Sequence, residues 1–158
     1  MTRIVALANQ KGGVGKTTTA INLGASLAAC ERRILLVDLD PQANATSGVG
    51  LAKNDERSMY AVLVDGMPIR DVIRVTDLPN FSIAPSSVDL VGAEIELGGE
   101  DGREYRLRDA LDSISGDYDY ILIDSRTGTT DVGNLCTVLL PEKLVLVSAP
   151  NEQSLHGA

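Results

Sequence analysis

The stretch Asn9-Gln10-Lys11-Gly12-Gly13-Val14-Gly15-Lys16-Thr17-Thr18-Thr19 decides how this chain reads. It follows the short apolar run Ile4-Val5-Ala6-Leu7-Ala8 and opens a segment of helical periodicity. A strand, a glycine-rich turn and a helix in that order make a phosphate-binding loop. Glycine lets the backbone fold tightly enough to turn successive N–H groups toward an anion. The helix beginning near Lys16 adds the positive end of its dipole. Lys16 is placed to reach the β- and γ-phosphates, and the Thr17 hydroxyl to ligate Mg²⁺. The pattern G-x-x-x-x-G-K-[ST] would put glycine at position 10, where this chain has Gln10, followed by a second lysine, Lys11. One triphosphate needs one lysine at its β/γ oxygens, so Lys11 is either a solvated loop residue or serves another charge.

The rest of the composition suits such a fold. The chain has 158 residues, enough for one domain with a real core. Hydrophobic residues make up 44% and charged residues 23%, while aromatics are only 3%, so Ile, Leu, Val and Ala must build the interior. That favours buried parallel strands covered by helices. The formal net charge is −8. Nucleic-acid binding by the chain as a whole is disfavoured, and a local basic patch is not evident. Arg103, Arg106 and Arg108 alternate with Glu104 and Asp109 and read as a solvated helix face. Cys30 and Cys136 lack metal spacing and read as reduced structural thiols of a cytoplasmic protein. No signal peptide or membrane-length apolar run is seen.

Four segments have the continuous apolar form of strands covered on both faces: Arg3–Ala8, Arg33–Asp38, Tyr120–Asp124 and Lys143–Ser148; Phe81–Ala84 is a weaker one. Helical patterns occupy Lys16–Ala29, with Ile21, Ala25 and Ala28 on one face, then Ser58–Val64, Ile69–Val75 and Tyr105–Ile114. Ala52–Arg57 and Gly98–Gly102 read as surface loops. Alternating strands and helices predict an α/β domain over residues 1–158, a mostly parallel sheet with helices on both faces and right-handed crossovers.

Two acidic segments accompany the loop. The second strand runs into Asp38-Leu39-Asp40-Pro41-Gln42-Ala43-Asn44-Ala45-Thr46. At the carboxyl edge of a parallel sheet, Asp38 and Asp40 are placed to hold metal-bound water and orient an attacking water; a proline-punctuated turn is the plainer reading. Asp124 ends Tyr120-Ile121-Leu122-Ile123, as does the aspartate that holds Mg²⁺ in phosphate-loop enzymes.

Together these residues resemble the ParA/Soj partition ATPases, within the wider group that includes MinD and the nitrogenase iron protein. Lys11-Gly12-Gly13-Val14-Gly15-Lys16-Thr17 looks like that group's deviant Walker A loop, and Asp38 to Thr46 like the ParA/Soj form of the second motif. The likeness is close over residues 1–51, weakens in the middle and returns at Tyr118–Asp124. It implies a P-loop ATPase, short or divergent and lacking the family's C-terminal part. It implies ATP/ADP and Mg²⁺ as cofactors, with the nucleotide on Lys11, Gly12, Gly13, Val14, Gly15, Lys16, Thr17 and Thr18. Lys16 would hold the phosphates in its own subunit and Lys11 would reach the partner's ATP across a nucleotide-dependent homodimer. Thr17 would ligate the metal, Asp40 position the hydrolytic water, and Asp38 and Asp124 hold the metal through water. A ParB-like stimulating protein and nonspecific DNA are the implied partners, in chromosome or plasmid partitioning or cargo positioning.

The family has a D-x-P-P pattern where this chain has Asp124-Ser125-Arg126-Thr127-Gly128. Arg126 either pairs with Asp131 or approaches the nucleotide as an internal arginine finger. This departure and the acidic charge leave a second reading, an ATP-dependent regulatory domain that gates a partner without touching DNA. An iron–sulfur reductase would need two cysteines at a dimer axis, and Cys30 falls at the far end of the first helix pattern. A MinD-like membrane helix is not seen in the sequence. His156 is given no chemistry, and Met59, Tyr60 and Met67 read as packing residues.

Overall fold

The computed structural model describes residues 1–8, 13–53, 55–97, 102–125 and 143–147. Strands β1 (Arg3–Ala8), β2 (Ile34–Leu39), β3 (Arg74–Val75), β4 (Phe81–Ala84), β5 (Tyr120–Ser125) and β6 (Lys143–Leu146) form one sheet in the order β3-β4-β2-β5-β1-β6. Every pairing is parallel except the edge pair β3–β4. The helices are α1 (Lys16–Ala29), α2 (Asn44–Gly48), α3 (Met59–Leu63), α4 (Ile69–Val72), α5 (Leu90–Glu96) and α6 (Arg103–Asp112). All the strands expected from sequence form, and β5 slots between β1 and β2.

Two apolar layers sandwich the sheet. On one side α1 and α2 cover Val5, Leu7, Ile34, Leu36, Phe81, Ile83 and Leu122. On the other, α3 to α6 cover Ala6, Leu35, Val37, Leu39, Ala84, Ile121 and Ile123. The alternation along β2 and β5 is the strand period of two, hidden in the sequence because both faces are apolar. It also assigns the terminal carboxylates. Asp38 shares parity with Ile34 and Leu36, and Asp124 with Leu122, so both lie on the α1 face.

α1 buries Lys16, Ala20, Gly24 and Ala28, a stripe at intervals of four. Ile21 and Ala25, expected on the buried face with Ala28, are only half-buried. The small residues win that face because the helix lies very close to the sheet. A Cβ added at Gly24 would stand 2.7 Å from the Phe81 ring.

Other elements depart from expectation for identifiable reasons. The pattern over Ile69–Val75 breaks after Val72. Ile73 is extended (φ −60°, ψ 134°), and Arg74–Val75 pair with β4 as β3. The Arg74 guanidinium donates to the carbonyls of Asp71, Val72 and Ile73, closing the end of α4. Ser58 lies just before α3, which ends at Leu63, and α6 runs Arg103–Asp112 rather than Tyr105–Ile114. The helices α2 and α5 were not foreseen. α5 is anchored by Leu90, Ala93 and Leu97, spaced for one helix face but interrupted by Gly92. Arg106 is no solvated face residue: its Nη1 donates to the Leu63 carbonyl at 2.7 Å and the Val64 carbonyl at 3.2 Å, at the end of α3. Arg108 behaves as expected, pairing with Asp109 and lying over the Tyr105 ring. Cys30 is exposed at the end of α1, not a packed thiol. Met59 is fully buried, and Tyr60 and Met67 pack against the same core. Among the described residues no helix is long and apolar enough to cross a membrane. The loop expected at Gly98–Gly102 falls almost wholly outside the described residues.

Gly24→Val is expected to destabilise the fold by about 2 kcal/mol or more, combining overpacking with the loss of helix propensity. Urea denaturation checks this, and Phe81→Leu in the same background should recover part of the loss by opening room for the new side chain.

Candidate functional site

The described part of the phosphate loop begins at Gly13. Gly13 and Gly15 have φ of 73° and 89°, the left-handed region where a side chain would strain the backbone. Gly15 caps α1, and its carbonyl accepts the first helical bond from the Thr19 amide at 2.8 Å. The turn therefore delivers the chain directly into the helix, leaving the first amides of α1 at the carboxyl edge of β1. Val14 and Thr17 are half-buried and Thr18 is exposed. Lys16 is only 7% exposed. Burial pushes its ammonium below the ordinary lysine range, while Asp124 and Asp40 pull the other way. Lys11 and Gly12 lie outside the described residues.

The strand order brings the acids to this point. Asp38 and Asp124 stand opposite each other in the β2–β5 register, and Leu7 of β1 is the next partner of Asp124. Two buried carboxylates side by side are costly, and the structure treats them differently. Asp38 is saturated. Its Oδ2 accepts the Thr46 amide at 2.8 Å and the Thr46 hydroxyl at 2.7 Å, and its Oδ1 accepts the Asp40 amide at 3.1 Å. Burial still raises its pKa, because desolvation outweighs those bonds. Both oxygens of Asp124, by contrast, are buried without a hydrogen-bond partner among the described residues. Burial drives its pKa up to about 6, and Asp38 and Asp40 add to the rise. The Thr17 hydroxyl, close enough to donate weakly to the carboxylate though outside ordinary hydrogen-bond geometry, and Lys16 oppose the shift.

Asp40 is only partly buried. Its Oδ1 accepts the Gln42 amide at 2.9 Å, a local turn that aims the carboxylate. Its carbonyl accepts the Ala43 amide at 2.8 Å and the Ser86 hydroxyl at 2.7 Å. The Ser86 amide in turn donates to Thr46 Oγ1 at 3.0 Å. Thr46 and Ser86 are both fully buried. Ser86 was invisible to sequence reasoning, since it comes from the segment after β4, far from either acidic motif. The sole signal was a run of small polar residues, Ser86-Ser87, at the carboxyl end of a strand. Ser125, at the variable position of the family pattern just before the departure at Arg126, ends β5, and its hydroxyl donates to the Leu7 carbonyl at 3.2 Å. Arg126, Asp131, Cys136 and His156 lie outside the described residues.

Among the described residues no three Cys, His, Asp or Glu side chains could by themselves hold a metal ion. Asp38, Asp40 and Asp124 thus form no all-protein metal cage. Mg²⁺ keeps its waters and takes one or two protein oxygens plus substrate phosphates. The unpartnered, buried Asp124 carboxylate beside the Thr17 hydroxyl, at the start of a helix, is a fitting donor set for a magnesium–phosphate group.

A parallel sheet with this loop at its carboxyl edge and an aspartate on the adjoining strand defines a P-loop nucleoside-triphosphatase fold. A family model described as "AAA domain" matches residues 2–158, and the chain belongs to that family. Within it the chain is a homologue of the ParA/Soj partition proteins. It is 54% identical to the chromosome partitioning protein ParA of Myxococcus xanthus over 77% of this chain and 44% of that protein. It is 52% identical to the sporulation initiation inhibitor protein Soj of Bacillus subtilis over 78% of this chain and 49% of that protein. The chain therefore spans about half the length of these relatives. Among solved structures, a cobyrinic acid a,c-diamide synthase from Mycobacterium smegmatis with bound ADP and magnesium is similar, with a TM-score of 0.86 and 37% identity over 93% of this chain and 59% of that one.

Thr46→Val removes the hydroxyl from Asp38 and strands the buried Ser86 amide. It is expected to cost about 2–4 kcal/mol in urea denaturation. Thr46→Ser, which keeps the hydroxyl, should lose much less.

Proposed function

We propose that this chain binds and hydrolyses ATP as a dimerisation switch of the ParA/Soj type, acting in chromosome or plasmid partitioning or in cargo positioning. The observation that carries this reading is a buried Lys16 within electrostatic reach of Asp124, whose oxygens have no hydrogen-bond partner among the described residues, at the mouth of a glycine-capped helix. Similarity to the partition proteins supports the same reading.

On this reading the loop amides from Gly12 to Thr18 cradle the β-phosphate, and Lys16 neutralises the β/γ oxygens. Burial strips water from Lys16 and strengthens its attraction to phosphate. Thr17 and Asp124 would hold Mg²⁺, Thr17 directly and Asp124 through water; when bound, the ion supplies positive charge to the leaving phosphate. Asp38 fixes the segment from Asp40 to Thr46, and Asp40, with its carboxylate at the surface of the site, orients the attacking water. Lys11 from one subunit would meet the partner's ATP, so the dimer would hold only while the triphosphate is present. A partner protein of ParB type would stimulate turnover.

The acidic net charge of −8 favours a second reading, an ATP-gated regulatory domain that acts on a protein and not on DNA. Salt-sensitive, ATP-dependent binding to nonspecific duplex DNA would select the first reading over the second.

Light scattering coupled to size exclusion should show a dimer with a non-hydrolysable ATP analogue and Mg²⁺, and a monomer with ADP. Lys11→Ala is expected to keep ATP binding by calorimetry while losing that dimer. A mutant that dimerises and turns over like the parent would refute the role in trans. Lys16→Ala should weaken ATP binding by at least about 100-fold, as expected for the loss of a desolvated charge–phosphate contact. Chelation of Mg²⁺ with EDTA should also weaken ATP binding, and calorimetry with and without the ion measures the difference.

A further inference from the structure

The segment after β4 reaches across to the acidic turn after β2, and it does so at one residue. Ser86 is fully buried, and its hydroxyl and its amide both serve that turn. Its hydroxyl donates to the Asp40 carbonyl at 2.7 Å, and its amide donates to Thr46 Oγ1 at 3.0 Å. Thr46 donates the same hydroxyl to Asp38 Oδ2, and Asp38 Oδ1 takes the Asp40 amide. The main chain of Asp40 is thereby held from both sides, its N–H by Asp38 and its C=O by Ser86. Among the described residues its carboxylate accepts one hydrogen bond, from the Gln42 amide within the same turn. The turn also contains Ala43 at φ 50°, an uncommon conformation for a residue with a side chain, which local bonding alone would hold poorly.

We propose that Ser86 is a positioning residue for Asp40. It locks the turn so that the Asp40 carboxylate points at the place where the nucleophilic water stands. The proposal rests on the reading of Asp40 as the water-orienting group. The energetic reason for using a side chain from the segment after another strand is rigidity. A turn closed only by its own bonds opens locally, whereas one tied to β4 opens only when the sheet edge does. Misplacing a catalytic group by about 1 Å costs up to about 100-fold in rate without altering ground-state binding.

The neighbouring Ser87 supplies an internal control. It is equally buried, but its hydroxyl meets the Ser58 hydroxyl at 3.1 Å and takes no part in the turn.

The test compares Ser86→Ala, Ser86→Thr and Ser87→Ala in the whole chain by amide hydrogen exchange without nucleotide, ADP calorimetry and ATP turnover. In Ser86→Ala, exchange at the Asp40 and Gln42 amides should quicken about tenfold or more while α1 and β2 amides keep their protection. The maximal turnover should fall about tenfold or more with KM and ADP affinity within about twofold of the parent, the split expected when only transition-state alignment is lost. Ser86→Thr, which keeps the hydroxyl, should restore both; Ser87→Ala should change neither. Unchanged exchange at Gln42 in Ser86→Ala overturns the proposal, and so does a loss of turnover matched by Ser87→Ala. If the parent chain binds ADP but shows no turnover, the hydrolytic reading of Asp40 falls. In that case the exchange comparison alone still judges whether Ser86 holds the turn.

Discussion

The insertion of β5 between β1 and β2 sets two buried carboxylates side by side, and the rest of the site follows from how that repulsion is relieved. Asp38 is stabilised by three hydrogen bonds from the segment that follows it, so its charge becomes the nucleus of a folded turn. Asp124 takes no such bonds among the described residues and lies near Lys16 and Thr17 at the start of α1. One acid organises the turn that follows it, and the other keeps both oxygens without a hydrogen-bond partner among the described residues. Had both been saturated internally, the sheet edge would be stable and inert. Had neither been, two uncompensated charges would burden the core.

The close docking of α1 is the packing counterpart of this arrangement. Ala20, Gly24 and Ala28 let the helix lie almost on the sheet, with Gly24 against Phe81. That proximity carries Lys16 into the interior and brings Thr17 beside Asp124. Burial then lowers the ammonium pKa and raises the carboxylate pKa, each disfavouring its own charge. Such a pair is poorly balanced alone and gains from a ligand that brings both negative phosphate and a positive ion.

Much of the fold was legible because the parallel strands are short, continuous apolar runs between clear helical segments. Ile34-Leu35-Leu36-Val37 and Ile121-Leu122-Ile123 have no alternative that buries them as well. Local reading failed where a distant partner made the decision. Ile69–Val75 looks helical throughout, yet Arg74 and Val75 turn away to pair with β4. The arginines of α6 look alike in sequence, yet Arg106 closes the end of α3 and Arg108 stays with its own neighbours. Asn44–Gly48, weak in helix propensity, becomes helical because Asp38 holds Thr46 in place.

The sequence alone determined where the glycine-rich loop, its lysines and the acids at the strand ends fall, because each is a local pattern that depends on residue type and spacing. Tertiary structure alone decided which acid is satisfied and which is not, that both share the α1 face, and that Ser86 reaches the Asp40 carbonyl. Strand order and register set those relations between residues far apart in the chain, and no window of sequence contains the information. A buried carboxylate's behaviour depends on the hydrogen-bond donors around it, and here those donors come from segments that meet only once the sheet has formed.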